Sequence, residues 1–235
     1  MGRQKGFADP RGSMYFEILT VIDKKQPPIV LLENVKNLVK HDNGRTFMTI
    51  YSTLAERGYG VKYAILGADK HSNIPQIRDR IFLAAFKDYE HMDNFQFPDE
   101  IMLDVTINDI VNRNEQKKPM YYYGKENKYY PLLNQRMLDD TAIYRIDDSG
   151  VAMKAWGICP TLKANMGTYH DRVPIVRDDY GIRKLTPYEC LAFQGFPKEY
   201  KLPNIPIEQV YKQIGNTVCV PVVTRIAENI GKILL

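Results

Sequence analysis

The spacing of apolar residues along the chain predicts an α/β fold. Apolar side chains recur at helical intervals in 13–25, with Ser13 as its cap, and in about 45–57, which Gly58 ends. Short, mostly apolar runs predict three strands, at 29–35, 61–67 and 80–86. The first run, IVLLENV, is continuous enough for a buried parallel strand. This order of strands and helices is typical of a sheet with crossover connections.

The pattern becomes irregular between about residues 95 and 180. Aromatic and polar residues mix there and turn signals are frequent, so this region is predicted to be loop-rich with short strands. Regular spacing returns in TPYECLAFQG, a predicted helix capped by Thr186, with Pro187 in its first position and Gly195 at its end. A last helix is predicted within 218–235.

Composition narrows the class of protein. Of the 235 residues, 44% are hydrophobic and 26% charged, as in ordinary globular chains, and no segment approaches the roughly 20 apolar residues of a membrane span. The first residues lack the apolar core of a signal peptide, and three distant cysteines are too few for a disulfide framework. We therefore predict a cytoplasmic protein with no membrane partner.

The net charge of +4 permits a nucleic-acid partner without requiring one. Both ends of the chain are basic, whereas residues 91–180 carry 11 Lys or Arg against 14 Asp or Glu. A DNA-reading surface in the middle would therefore depend on the local placement of charged side chains.

Four motifs carry most of the chemical information. Glu33-Asn34 ends the first predicted strand, where open α/β sheets place ligand sites. IPQIRDRIF places Gln76, Arg78 and Arg80 at alternating positions, and the other two motifs are RKLTPYECLAFQGFP (183–197) and YKQIGNTVCVP (211–221). In this order they resemble the E-N-V, Q-x-R-x-R, R-x-L-T-x-x-E…Q-G-F-P and G-N-x-V motifs of the cytosine-5 DNA methyltransferases. GRQKGFADPRG at 2–12 is similar to the loop that follows the family's Pro-Cys motif.

The resemblance implies a partial Rossmann-like sheet of an S-adenosylmethionine-dependent methyltransferase with a small, mostly β target-recognition domain. The predicted domains are a partial catalytic domain (1–90), the target-recognition domain (91–182) and a return to the catalytic domain (183–235). The implied reaction transfers a methyl group from S-adenosylmethionine to C5 of a flipped cytosine in double-stranded DNA, in a restriction–modification setting. A non-catalytic DNA-binding remnant is the alternative.

The resemblance assigns catalytic roles to four residues. Glu33 would donate a hydrogen bond or proton to N3 of the cytosine, which requires a carboxyl group kept protonated by burial, and Asn34 would hold that group and the nearby backbone. Arg80 would reach the cytosine O2, with Arg78 in a supporting role. From the residues alone, a lone glutamate such as Glu33 is more often a capping or surface carboxylate, and the arginines are a surface pair bonded to Asp79 or Glu33.

The resemblance also assigns binding residues. Asn216, Thr217 and Val218 would form one wall of the S-adenosylmethionine pocket, although the Gly-Asn pair before Thr217 also suits a simple turn. DNA contacts are implied for four residues: Gln76, Thr161, Leu162 and Arg11.

Other features have simpler interpretations. Residues 183–197 are expected to be structural, and Gly58-Tyr59-Gly60 is interpreted as a helix stop. The tyrosines at 121–123 and 129–130 suit either base stacking or, more commonly, sheet packing. The histidines show no metal-ligand spacing, so no metal site is predicted.

The nucleophile that the family uses does not occur in this sequence. The family attacks C6 of cytosine with the thiolate of its Pro-Cys motif. Cys159, Cys190 and Cys219 do not follow prolines, and each is expected to be a small buried hydrophobic residue. The Phe-x-Gly-x-Gly cofactor loop is absent too.

Three explanations are open for these missing motifs: one subunit of a split enzyme, a truncated gene product or an expressed fragment. We expect the chain to be inactive alone. We also expect an N-terminal methyltransferase polypeptide to supply the Pro-Cys motif and cofactor loop and to pair with the exposed edge of the first strand.

Overall fold

The computed structural model describes residues 10–147, 150–153, 157–168 and 172–235, and it describes side chains from residue 14 onward except at 147 and 153. The helices in these ranges are α1 (Pro10–Lys25), α2 (Arg45–Ala55), α3 (Ala68–His71), α4 (Tyr89–Asn94), α5 (Ile107–Ile110), α6 (Tyr130–Arg136), α7 (Pro187–Ala192), α8 (Ile207–Asn216) and α9 (Val220–Ile233). The strands are β1 (Ile29–Val35), β2 (Gly60–Gly67), β3 (Asp79–Phe86), β4 (Tyr144–Asp147), β5 (Gly150–Met153), β6 (Ile175–Asp178) and β7 (Gly181–Lys184). Short 3₁₀ segments lie at Lys36–Gly44, Pro119–Tyr121 and Ala164–Gly167.

The chain divides into two units. The first contains the described residues up to Leu66, then Asp79–Pro98 and Ile226–Leu235. The second contains Gly67–Arg78 and Asp99–Arg225. This division follows packing, whereas the boundaries at residues 90 and 183 rest on motifs, so the predicted domains stay a prediction.

The sheet of the first unit has the strand order β1-β3-β2. All three predicted strands are present, but the prediction of a buried parallel strand at 29–35 is wrong. β1 pairs antiparallel with β3, and only Val30 of β1 is buried. The central position belongs to β3, whose residues 81–86 are all buried. An apolar run predicts a strand, but it specifies neither the direction of the partner nor the place in the sheet.

Helices α1 and α2 form because each has an apolar side that the first unit buries. Tyr15, Leu19 and Ile22 follow one another at four- and three-residue intervals on α1 and lie in the same core cluster as Ile50 and Leu54 of α2. The Tyr15 hydroxyl also donates to the Ile50 carbonyl at 3.1 Å. Both predicted helices are therefore confirmed, but α1 begins three residues before the predicted start, so Ser13 lies within the helix and the prediction that it caps the helix is wrong.

The second unit contains an antiparallel sheet in the order β5-β4-β6-β7. These four-residue strands lie between short helices and turns, as predicted for a loop-rich region with short strands. Tyr123 and Tyr144 are buried in a cluster with Tyr129 and Tyr130 packed against it. Packing is thus the role that the structure gives to Tyr123.

Two of the predicted C-terminal features are confirmed and one helix is new. Thr186 caps α7 in a capping box with Glu189, and α9 covers most of the predicted last helix. Helix α8 was not predicted, although its buried residues Val210, Tyr211 and Ile214 have helical spacing. The GNTV motif concealed this helix because Gly and Asn favour turns. Among the described residues, no helix is long and apolar enough to cross a membrane.

Candidate active site

An ion pair joins the two charged residues that the sequence placed at the cytosine. Arg80 Nε lies 2.9 Å from Glu33 Oε1. Antiparallel pairing sets Glu33 opposite Phe82, so Arg80, two residues before Phe82 on β3, projects from the same face of the sheet. The side chains of Glu33 and Arg80 are 29% and 16% exposed, so solvent reaches the pair.

Two of the three guanidinium nitrogens of Arg80 have a partner among the described residues. Besides the contact with Glu33, its Nη1 donates to the Asp79 carbonyl at 2.8 Å, and Nη2 makes no hydrogen bond within the described residues. Burial lowers the pKa of the Arg80 guanidinium, and the charge of Glu33 opposes that shift. The pair therefore presents an unused N–H donor beside a carboxylate.

One expectation about this pair differs from the structure. Glu33 is not buried, so the sequestered carboxyl group expected from the family is not seen; the contact found is the arginine–glutamate pairing left open from the residues alone. Asn34 accepts a hydrogen bond from the Val35 N–H at 2.8 Å, so it holds the backbone next to Glu33. Neighbouring Lys36 and Asp79 form a further ion pair.

Gln76 and Arg78 are buried in the second unit, where they hold Leu162 from both sides. The side-chain Oε1 of Gln76 accepts a hydrogen bond from the Leu162 N–H at 3.2 Å, and Arg78 Nη1 donates to the Leu162 carbonyl at 3.0 Å. Gln76 also donates to the Phe193 carbonyl. We call Gln76 and Arg78 the Gln-Arg clamp.

The other arm of Arg78 reaches the segment predicted to bind the cofactor. Its Nη2 donates to the Thr217 carbonyl and, at 3.4 Å, to the Gly215 carbonyl. These two carbonyls flank Asn216. Arg78 is only 3% exposed, so the guanidinium is surrounded by protein and joins the two segments directly.

The residues predicted to contact DNA fall into three groups. Gln76 and Leu162 have no exposed surface to offer to DNA. Thr161 is half-buried, and its hydroxyl donates to the Ile77 carbonyl at 2.5 Å. The side chain of Arg11 lies outside the described part of the structure.

The predicted cofactor residues lie at the C-terminal end of α8. Asn216 is exposed and its amide makes no hydrogen bond within the described residues, whereas the Thr217 hydroxyl donates to the Ile214 carbonyl at 2.8 Å and Val218 is half-buried. Gly215 is needed for packing here, because a Cβ would lie 2.2 Å from the Lys163 carbonyl carbon. The segment therefore has both the close backbone packing at Gly215 and an exposed polar side chain, that of Asn216.

The motif at 183–197 contains a buried ion-pair cluster with structural contacts. Arg183 is completely buried; its Nε lies 2.5 Å from Asp178, and its Nη1 and Nη2 donate to Glu189 at 2.9 and 2.8 Å. Glu189 also accepts from the Thr186 N–H and hydroxyl in the cap of α7. Burial alone would lower the pKa of Arg183, but the ion pairs with Glu189 and Asp178 raise it.

The three cysteines are buried, as predicted. Burial raises the pKa of the Cys159 and Cys190 thiols well above the ordinary value. Burial also raises the pKa of Cys219, against the effect of its hydrogen bond with Ser72. A high pKa leaves little thiolate at neutral pH, so none of these thiols has the properties of an activated nucleophile. No group of His, Cys, Asp and Glu within the described ranges is arranged to hold a metal ion.

The fold is similar to those of solved methyltransferase structures. The chain aligns over its whole length with 73% of the Entamoeba histolytica methyltransferase EhMeth, at a TM-score of 0.71 and 18% identity. It aligns equally fully with 74% of the S. pombe Dnmt2 methyltransferase, at a TM-score of 0.69 and 19% identity. These likenesses define the fold class: an α/β methyltransferase fold with an additional antiparallel sheet.

Sequence comparison defines the family. The model of the C-5 cytosine-specific DNA methylases matches residues 1–232. Type II methyltransferase M.Bsp6I of a Bacillus species is 45% identical over the whole chain, which spans 75% of that relative. M.SsoII of Shigella sonnei is 36% identical over 97% of the chain and 59% of its own length, and M.HhaI of Haemophilus parahaemolyticus is 32% identical over 99% and 72%. The chain belongs to the C-5 cytosine-specific DNA methylase family, and it spans between about half and three quarters of its relatives.

Sequence reasoning missed the buried clamp. The family resemblance assigned Gln76 to DNA contact and Arg78 to a supporting catalytic role, and the residues alone predicted a surface arginine pair. A weak signal was present: Gln76 and Arg78 alternate with the apolar residues Pro75 and Ile77, and the Gly215 that approaches Lys163 is the kind of residue a close backbone contact requires.

Proposed function

We propose that this chain is the C-terminal part of a DNA (cytosine-5) methyltransferase of a restriction–modification system. The observation that carries the proposal is the partly exposed Glu33–Arg80 pair at the end of β1 in a member of this family. The pair has the two groups that a cytosine needs: a carboxyl group and a planar fork of donors.

The pair is suited to the Watson–Crick edge of a cytosine flipped out of the duplex. The unused Nη2 of Arg80 is a donor for the carbonyl O2 of the base. Glu33 offers an oxygen that accepts from the N4 amino group and, when protonated, a hydroxyl that donates to N3. Holding these atoms fixes the ring and offsets negative charge that develops on it when C6 is attacked. In this role Glu33 exchanges part of its contact with Arg80 for the base.

S-adenosylmethionine is the proposed methyl donor, and Asn216, Thr217 and Val218 are the residues of this chain that would hold it. The site fits a polar ligand, because the exposed Asn216 amide offers a donor and an acceptor that its own chain does not use. The half-buried Val218 offers apolar surface beside it. When bound, the cofactor supplies the methyl group; the chain's contribution is to position and shield it.

The proposed DNA reader is the irregular region at 91–182. Its support is the small antiparallel sheet and the loop at Thr161, whose side chain keeps part of its surface exposed. Base edges in the major groove are read by side chains at fixed positions, and a sheet with firmly held loops supplies such positions. Exchanging 91–182 for the matching region of a relative should transfer the DNA target. Methylation of the original target by the exchanged protein would place the reader elsewhere.

We further propose that an N-terminal methyltransferase polypeptide supplies the nucleophile and the cofactor loop. Two features support this association. β1 pairs with a described strand along one edge only, and α1 carries a second apolar stripe, Met14, Ile18 and Val21, that is exposed at helical spacing. A cytoplasmic location follows from the same proposal. The alternative is a DNA-binding remnant without catalysis.

The experiment compares the chain alone with the chain co-expressed with the part of M.Bsp6I that lies outside the match. Each preparation receives tritiated S-adenosylmethionine and mixed duplex DNA. We expect transfer to DNA only in the co-expressed sample, because all three thiols of the chain are buried. DNA binding without methyl transfer in both samples would favour the remnant, and transfer by the chain alone that Cys159→Ser abolishes would show that the nucleophile lies within this chain.

A further inference from the structure

The Gln-Arg clamp ties the loop of Thr161 and Leu162 to the turn around Asn216 through one buried guanidinium. Both segments are parts of the second unit. Arg78 donates to the carbonyl of Leu162 on one side and to those of Gly215 and Thr217 on the other. The carbonyls of Gly215 and Thr217, which flank Asn216, can each move away only by breaking a charge-assisted hydrogen bond with Arg78.

The loop of Thr161 and Leu162 cannot move independently of residues 76–78. Gln76 holds the N–H of Leu162 while Arg78 holds its carbonyl, and Thr161 is bonded to the Ile77 carbonyl between them. A shift of Thr161 is therefore transmitted to the segment 75–78. Backbone bonds between Cys159 and residues 75 and 77 reinforce the same connection.

Close packing makes the connection stiff on the side of α8 as well. The Gly215 Cα approaches Lys163 and Ala164 so closely that a methyl group would overlap their backbone. Gly167 has the same relation to Glu208, where a Cβ would lie 2.1 Å from the carbonyl oxygen. Small displacements of tightly packed backbone are passed on rather than absorbed.

We propose that Arg78 is a positioning residue that couples DNA binding at Thr161 to cofactor binding at Asn216. The proposal rests on the function proposed above for these two segments. A duplex that fixes the loop also fixes the two carbonyls beside Asn216, so the cofactor meets a site that is already ordered. By thermodynamic reciprocity the cofactor strengthens DNA binding by the same factor.

The test in the reconstituted complex measures the Kd of S-adenosylmethionine with and without saturating duplex. We expect the duplex to tighten cofactor binding by about tenfold in the unsubstituted protein, within the usual range of such coupling, and the factor to fall close to one in Arg78→Lys. A lysine ammonium lacks the planar fork that holds all three carbonyls. The matched control is Arg113→Lys, because Arg113 also donates to two backbone carbonyls, those of Asp140 and Thr141, which belong to neither segment. Equal coupling in Arg78→Lys and in the unsubstituted protein would overturn the proposal.

A second measurement does not depend on ligands. Hydrogen exchange of the full chain alone should be faster at both 159–166 and 214–219 in Arg78→Lys, and unchanged there in Arg113→Lys. Thr161→Val, a change at the half-buried surface, should also speed exchange at 214–219. An effect of Thr161→Val confined to 159–166 would overturn the clamp even if Arg78→Lys fails to fold. If the complex binds neither ligand while exchange responds as expected, the proposed function fails and the connection between the segments stands.

Discussion

Two arginine–carboxylate groups occupy the two units, and they differ in how completely they are enclosed. Arg183 is fully buried, and all its nitrogens bond to Asp178, Glu189 or backbone carbonyls. Arg80 and Glu33 form one contact at a partly exposed strand end, and one nitrogen of Arg80 is left unused. The group around Arg183 therefore has no free guanidinium donor for a ligand, whereas the Arg80–Glu33 pair has one.

The difference shows how enclosure separates structural charges from reactive ones. Charges that are buried must satisfy one another, so their geometry is fixed and a ligand would have to break several bonds to enter. A pair at the surface holds its partners weakly, and a base can replace part of the contact at low cost. Charged residues such as Arg183 and Arg80 therefore need not share a function, even when all of them belong to motifs of the same family.

The largest expected effect is on stability, from substituting Arg183. Arg183→Met removes the cation from two buried carboxylates, and such a break typically costs about 3–5 kcal/mol. Arg80→Met, the same substitution at the partly exposed pair, should cost about 1 kcal/mol or less, because solvent reaches Glu33. Urea unfolding followed by circular dichroism in the co-expressed complex compares the two. Equal losses of unfolding free energy in the two variants would contradict the distinction between a structural Arg183 cluster and a ligand-accessible Arg80–Glu33 pair.

A smaller effect is expected on turnover, from substituting Arg80. In the reconstituted enzyme Arg80→Ala should lower methyl transfer, and Arg80→Lys should restore it only in part, because one ammonium cannot contact Glu33 and the base O2 with fork geometry. The matched control is Arg57→Lys, since Arg57 forms a similar exposed pair with Asp23 in the same unit. Full activity of Arg80→Lys would reduce the role of Arg80 to its charge alone.

The elements of the first unit were largely predictable from sequence. Buried positions within one helix or strand are apolar and recur at the period of that element, so they are visible in the sequence. The helical spacing of Tyr15, Leu19 and Ile22 and the apolar runs of the strands are examples. The antiparallel pairing of β1 was not predictable, because strand direction depends on the path of the chain between elements. The pairing of Glu33 with Arg80 follows from that register, so it remained one of two alternatives.

The site in the second unit was predictable only in outline. The motifs identified Gln76, Arg78, Thr161 and Asn216, but not that the first two are buried. Their partners are backbone N–H and carbonyl groups, which carry no sequence signal, about 84 to 139 residues away along the chain. Arg183 was the reverse case: the sequence predicted Thr186 as a helix cap, and in the structure Glu189 completes the cap and pairs with the buried Arg183.

The most direct test of the account is turnover in Glu33→Gln against Asp23→Asn. Both replace an arginine-paired, partly exposed carboxylate of the first unit by its amide, and only Glu33 is proposed to contact the base. In the reconstituted enzyme, with tritiated S-adenosylmethionine and duplex DNA, we predict that Glu33→Gln keeps DNA binding and loses about 10²–10⁴-fold in kcat, while Asp23→Asn keeps its full rate. Equal rates for the two variants would contradict the assignment of Glu33 and Arg80 as the cytosine-holding pair.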